Sequence, residues 1–174
     1  MYPSNNRRVQ VTIAGLGTEP VPDKVLQQAV KLMDSIARCD PIIIVGGYWG
    51  IMRVIVDEAL KKGLTVVMVL PEDKCDVRVR GAISICSGMG FRERSSILVR
   101  SSDVVVALGG EVGTITEILL AYSYGIPVYV LRGTGLSTDK LEDDWSPHVD
   151  TRRTAIVKYF DDVSEITREI CKPG

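Results

Sequence analysis

One histidine serves a chain of 174 residues, and its four cysteines, Cys39, Cys75, Cys86 and Cys171, include no CxxC pair. A structural zinc site needs four closely spaced nitrogen or sulfur ligands, so this poverty excludes one. Any mechanism that uses a histidine base would have to use His148, which sits in the polar stretch DDWSPHVD, where a solvated loop residue is expected. Basic excess is also missing. Lys plus Arg number 21 against 22 Asp plus Glu, which leaves nothing of the cationic footprint that a nucleic acid backbone requires. Long apolar runs are absent too. The N-terminal stretch MYPSNNRRVQVTIAG offers only about seven apolar-alternating residues before its glycines, too few for a signal segment or a membrane span. The expectation is a cytoplasmic protein with neither nucleic acid nor membrane as partner. The absence of a GK[ST] sequence removes the phosphate-binding lysine and the magnesium-binding hydroxyl of a P-loop.

What is present is a hydrophobic share of 45% and a charged share of 25%, the balance of an ordinary globular domain. A chain of this length suits one domain, 1–174, with one substantial core. Short apolar runs alternate with segments of helical period, the pattern of a Rossmann-like, doubly wound, mostly parallel sheet of six or seven strands with helices on both faces. The runs RVQVTIA (8–14), PIIIV (41–45), LTVVMVL (64–70), AISIC (82–86), DVVVAL (103–108), PVYVL (127–131) and AIVKYF (155–160) predict strands. Most lack polar alternation, as strands buried on both faces do. Helical spacing joins Val25, Ala29, Met33 and Ile36, then Ile51, Ile55 and Ala59, then Ile115, Ile118, Leu119 and Tyr122. Gly63 and Gly125 stand where a helix ends before a strand. Asp162, three residues before Glu165, predicts a capping box for a last amphipathic helix. The polar stretch 132–153 reads as a functional loop or a mobile flap.

In an open parallel sheet, ligands lie beyond the carboxyl ends of the strands. Three such positions carry glycine-rich loops: GLGTEP (15–20), GGYWGIM (46–52) and GGEVGT (109–114). Bare backbone and a helix N-terminus together favour an anion. Gly15, Gly17, Gly46, Gly47, Gly50, Gly109, Gly110, Gly113 and Thr114 are therefore candidate ligand-binding residues, although each loop taken alone is also an ordinary tight turn. A dinucleotide is disfavoured, because Pro20 replaces the third glycine of GxGxxG and no acidic residue follows the second strand. Thr114 and Glu117 have the spacing of a capping box, which is the structural alternative to a functional pair. Arg92 and Arg94 in GMGFRERSSIL lie at another helix start after a strand. Arg94 is the candidate for bidentate pairing with phosphate or carboxylate.

The order GGYWGIM, VVMVLP, GMGFRERS, SSDVVVALGGEVGTITE, YGIPVYVL resembles the LONELY GUY and molybdenum-cofactor-carrier superfamily over about residues 8–131. The resemblance implies a Rossmann-like domain, a homodimer or higher homo-oligomer, and a phosphorylated small molecule as partner. In one branch it implies hydrolysis of a nucleoside 5′-monophosphate to free base and ribose 5-phosphate, with Arg94 and Glu117 carrying the chemistry. In the other it implies a molybdopterin-type ligand carried without catalysis; neither branch requires a cofactor. Met89 and Trp49 join the ligand-binding candidates, with Tyr48 or Trp49 able to stack on a base or, equally, to pack at a dimer contact. The chain departs from the family pattern at Ser95, where a lysine is usual, at Gly109, where proline is, and at Glu111, where glycine is. A carboxylate at 111 repels phosphate unless it points away or meets a cation. These departures lie closer to the carrier-like branch. The lysine decarboxylase label attached to the family fits poorly, since no glycine loop presents a Schiff-base lysine.

Overall fold

The computed structural model describes residues 7–172, so the first six residues of the N-terminal stretch lie outside it. All seven expected strands form, and they make one parallel sheet in the order β4-β3-β2-β1-β5-β6-β7. They are β1 (Gln10–Ala14), β2 (Ile42–Val45), β3 (Thr65–Leu70), β4 (Ile83–Cys86), β5 (Val104–Ala107), β6 (Val128–Leu131) and β7 (Val157–Phe160). Runs such as IIIV and VVVA fit because a strand covered on both faces has no solvent side for polar residues. Val11 pairs with Ile43 on one side and with Val104 on the other. The strand order reverses between β1 and β5, and this opens a crevice at their carboxyl ends.

The helices divide between the two faces. On one lie α1 (Asp23–Ile36), α2 (Gly50–Lys61) and α6 (Val163–Ile170), which bury Leu32, Met33, Ile51, Ile55 and Ile166 against Val11, Ile43 and Met68. On the other, α4 (Val112–Ser123) buries Ile118, Ala121 and Tyr122 against Val105 and Val128, while the short α3 (Arg94–Arg100) sets Leu98 over Ile44 and Val69. Because α3 has only seven residues, the sheet beyond it is uncovered. Ile83 and Ile85 of the edge strand β4 are about half exposed, contrary to the expectation of burial on both faces.

Three further differences from the sequence reading have local causes. The cysteines, unassigned from spacing, pair through the fold: Cys39 with Cys171 at a Cα separation of 5.7 Å, and Cys75 with Cys86 at 5.1 Å. Asp162 caps α6, but through the amide of Ser164 at 2.8 Å rather than that of Glu165. Residues 132–153 contain a 3-10 turn (Ser137–Leu141) and the one-turn α5 (Glu142–Trp145), and they pack behind the loop after β5 instead of forming a flap. His148 sits in this segment with Nδ1 2.8 Å from the carbonyl of Ala155. Among the described residues no helix is long and apolar enough to cross a membrane.

Candidate functional site

The three glycine loops meet at the crevice between β1 and β5, bound to one another by backbone. Leu16 donates its amide to the carbonyl of Gly109 at 3.1 Å and accepts from the amide of Ile51 at 3.0 Å. Gly110 is held from behind: its amide donates to Thr138 Oγ1 at 3.1 Å, and its carbonyl accepts from the Thr138 amide at 3.1 Å. Much of the bare backbone that could cradle an anion is thus spent in joining the loops, and the Gly110 amide is not free for a ligand. The amides of Val112, Gly113 and Thr114, in the first turn of α4, have no acceptor among the described residues. A helix start leaves such donors open, and the helix dipole makes the position favourable to negative charge.

Beside this helix start lies a solvent-open cavity of about 250 Å³. Gly113, Thr114, Thr116 and Glu117 of α4 form one wall, and Arg92, Arg94 and Ser95 another. Trp49, Met52 and Phe91 make an apolar end, with Gly15 and Gly17 at the base. Trp49 and Phe91 pack edge to face at 5.6 Å between ring centroids, so the apolar end presents aromatic surface.

Arg94 is only 5% exposed. Its guanidinium lies across Gly46, where any Cβ would fall on it, and 5.9 Å from the centre of the Phe91 ring. Gly47 is bare for a parallel reason, since the Trp49 indole occupies the space of its Cβ. Nε and Nη1 of Arg94 are buried with no acceptor among the described residues. Two unpaired donors on a buried cation are costly. Burial pulls the Arg94 pKa below the usual arginine value, and the charge of Glu117 partly restores it.

Glu117 does not form the capping box that its spacing with Thr114 allowed. The N-cap of α4 is Glu111, with no side-chain bond to the helix, and Glu117 turns inward to accept from Ser95 Oγ at 3.1 Å. Burial raises its pKa above the ordinary carboxylate value, against the lowering pull of Arg94 and of the Ser95 hydroxyl. A raised carboxyl beside an unpaired guanidinium, in a cleft, is the kind of perturbed pair that marks a functional site. Glu111 is exposed and its carboxylate bonds Ser137 Oγ, outside the cavity.

The sequence profile of the SLOG cluster4 family matches residues 8–162. The chain belongs to that family. An uncharacterised protein of Archaeoglobus fulgidus is 32% identical over 124 residues, covering 71% of this chain and 80% of that protein. The structural-genomics target TM1055 superposes with a TM-score of 0.84 at 31% identity, covering 93% of this chain and 98% of the other. The molybdenum cofactor carrier protein of Chlamydomonas reinhardtii superposes with a TM-score of 0.77 at 26% identity, over 95% and 96% of the two chains. These likenesses set the SLOG chain in the LONELY GUY and carrier superfamily that its motifs resemble.

Within this SLOG chain, Arg94, Glu117, Trp49, Gly15, Gly17, Gly113 and Thr114 line one cavity. Gly46, Gly47, Gly50, Gly109 and Gly110 lie behind the lining and set its shape. Met89 does not reach it: the side chain is exposed, and its carbonyl accepts from the Glu72 amide at 2.8 Å. Tyr48 also turns away, its hydroxyl donating to Asp57 at 2.7 Å on the outer face of α2. Sequence reasoning missed Phe91, Met52 and Thr116. Phe91 stands three residues before Arg94 in the same connection, which was the one available signal; Met52 and Thr116 look like ordinary helix residues.

Proposed function

We propose that the cavity binds a phosphorylated, nucleotide-like small molecule. Its phosphate sits between Arg94 and the first turn of α4, and its ring lies against Trp49 and Phe91. The observation that carries this reading is the nearly buried Arg94, which lines the same cavity as Gly113 and Thr114, where the α4 helix start leaves its amides open. A phosphate supplies acceptors to the helix-start amides and a counter-charge to the guanidinium.

The chemistry that follows is hydrolysis of the N-glycosidic bond of a nucleoside 5′-monophosphate. Arg94 holds the phosphate and so fixes the ribose beside Glu117. As the bond from C1′ to the base nitrogen breaks, its electron pair leaves with the base and positive charge grows on the sugar. The ionised Glu117 carboxylate stabilises that charge and takes a proton from the water that attacks C1′. Ser95 holds one carboxylate oxygen, leaving the other for the reaction. That proton passes on to the departing base nitrogen, which returns Glu117 to its ionised form, so the products are free base and ribose 5-phosphate, and no cofactor enters. A carrier role for a pterin nucleotide is the second reading. It is favoured by the likeness to the Chlamydomonas carrier and by Ser95, a neutral group where a catalytic pair would gain from a second cation.

Incubation with AMP, GMP, CMP and UMP, followed by chromatography for free base, tests the enzyme. Base release from at least one, lost in Glu117→Gln, supports hydrolysis. Tight AMP binding with no release from any of the four favours the carrier, and no binding of any of them ends the nucleotide reading. The same reading places the protein in the cytoplasm, where such nucleotides are kept. It assembles the protein as a homodimer or higher homo-oligomer through the outward face of α3 and α4. There Ile97, Val112, Leu119 and Tyr124 are exposed, and sedimentation equilibrium checks the assembly.

A further inference from the structure

Glu111 stands at the N-cap of α4, a position from which a carboxylate would ordinarily serve the helix start, yet its side chain makes no bond to that helix. Its carboxylate is taken by Ser137 Oγ, across 26 residues of sequence. Ser137 is itself held rigidly. The next residue, Thr138, is fully buried and exchanges two hydrogen bonds with Gly110, while Tyr159 donates to its carbonyl at 3.3 Å. The turn that delivers Ser137 is closed by Asp139, which accepts from Thr134 Oγ1 at 2.9 Å and from the Gly135 amide at 2.7 Å.

We infer that Ser137 is a positioning residue for anion binding: it parks the Glu111 carboxylate outside the cavity and so keeps the first turn of α4 open to a phosphate. The inference rests on the phosphate reading above. A free carboxylate at the N-cap is attracted by the same three amides and the same helix dipole that an incoming phosphate needs. Released from Ser137, Glu111 competes for that position and also repels a phosphate by charge. A surface-exposed anion at a helix start has an effect of about twofold to fivefold on an equilibrium. The turn 134–139 thus acts on the site from behind, through the one acidic side chain that the glycine loop carries.

The test titrates AMP and, separately, inorganic phosphate into the wild type, Ser137→Ala, Glu111→Gln and the double variant, by calorimetry at low salt. The expected result is binding weakened about twofold to fivefold in Ser137→Ala, no weakening in Glu111→Gln, and full rescue in the double variant. A merely structural role for Ser137 would leave the double variant as weak as Ser137→Ala, and that outcome overturns the inference. So does a Ser137→Ala affinity equal to that of the wild type, while the phosphate reading survives because the wild type binds. Wild type that binds neither probe overturns the phosphate reading and this inference together.

Discussion

Removing both buried charges of the cavity should make the ligand-free protein more stable while ending its response to ligand. The perturbation is Arg94→Met with Glu117→Gln, which keeps the side-chain stems. Arg94 is 5% exposed and Glu117 9% exposed, so both are largely desolvated. Each unsatisfied buried donor costs about 1–3 kcal/mol, and Arg94 has two, Nε and Nη1. Exchanging a buried charge pair for well-packed neutral groups typically gains about 1–4 kcal/mol. Allowing for imperfect packing of the methionine, a gain of about 2 kcal/mol is expected, which raises Tm by roughly 4–8 °C in a chain of this size. AMP at a hundredfold excess over its Kd should stabilise the wild type by about 2.7 kcal/mol and the variant not at all. The two proteins therefore exchange rank: the variant melts higher without AMP, the wild type with it. Differential scanning calorimetry with and without AMP reads both differences. A ligand-free variant that melts several degrees below the wild type, or one whose Tm follows AMP as the wild type's does, refutes the reasoning.

Two further perturbations probe the frame around the cavity. Gly46→Ala places a methyl on the Arg94 guanidinium, so it should cost about 1–3 kcal/mol through overpacking and weaken AMP binding along with Tm, as paired melting and titration would show. The bridge Cys39–Cys171 spans 132 residues and Cys75–Cys86 spans 11. Loop-closure entropy then assigns about 5 and about 3 kcal/mol to them, so guanidinium unfolding should find Cys39→Ser more destabilising than Cys75→Ser.

The sheet was legible because its signal is local. Runs such as IIIV and VVVA need only their own residues to announce a strand, and helical spacing in QQAVKLMDSI announces α1. The cysteine pairs were not legible, since Cys39 and Cys171 meet only after α1 and α6 pack side by side. The site was partly legible. Arg94 and Glu117 stood out by residue type beside glycine loops, but spacing alone gave Thr114 and Glu117 two readings. The choice between them depends on Ser95, from another helix, which accommodates the inward rotamer. The loops misled in a more instructive way. Their glycines suggested many amides aimed at a guest, whereas the Leu16, Ile51 and Gly110 amides serve neighbouring loops. Backbone that must approach other backbone closely has the same sequence as backbone that must approach a phosphate.

With so few amides left over, the site's electrostatics rest on Arg94, Arg92 and Glu117, and this couples ligand to proton. Burial raises the Glu117 carboxyl above its ordinary value of 4.5, and Arg94 holds the rise in check. A phosphate that engages Arg94 neutralises that restraint and adds negative charge nearby, so the carboxyl rises further when ligand is bound. The bound state then holds more protons than the free state, which by linkage means that AMP affinity is greatest where Glu117 is protonated and declines as pH climbs through its raised value. The folding contribution has the same sign. Stability from the protonated carboxyl is complete below the unfolded value and drains away as pH rises through the folded one. AMP itself titrates near neutrality, so the measurement needs Glu117→Gln as reference. Calorimetry in two buffers of different ionisation heat counts the protons taken up on binding, and the wild type should exceed the variant by a fraction of a proton that peaks near the Glu117 pKa. Equal proton counts, with affinities that fall in parallel across pH, would show that Glu117 does not sense the phosphate and would separate the guanidinium from the carboxylate as working partners.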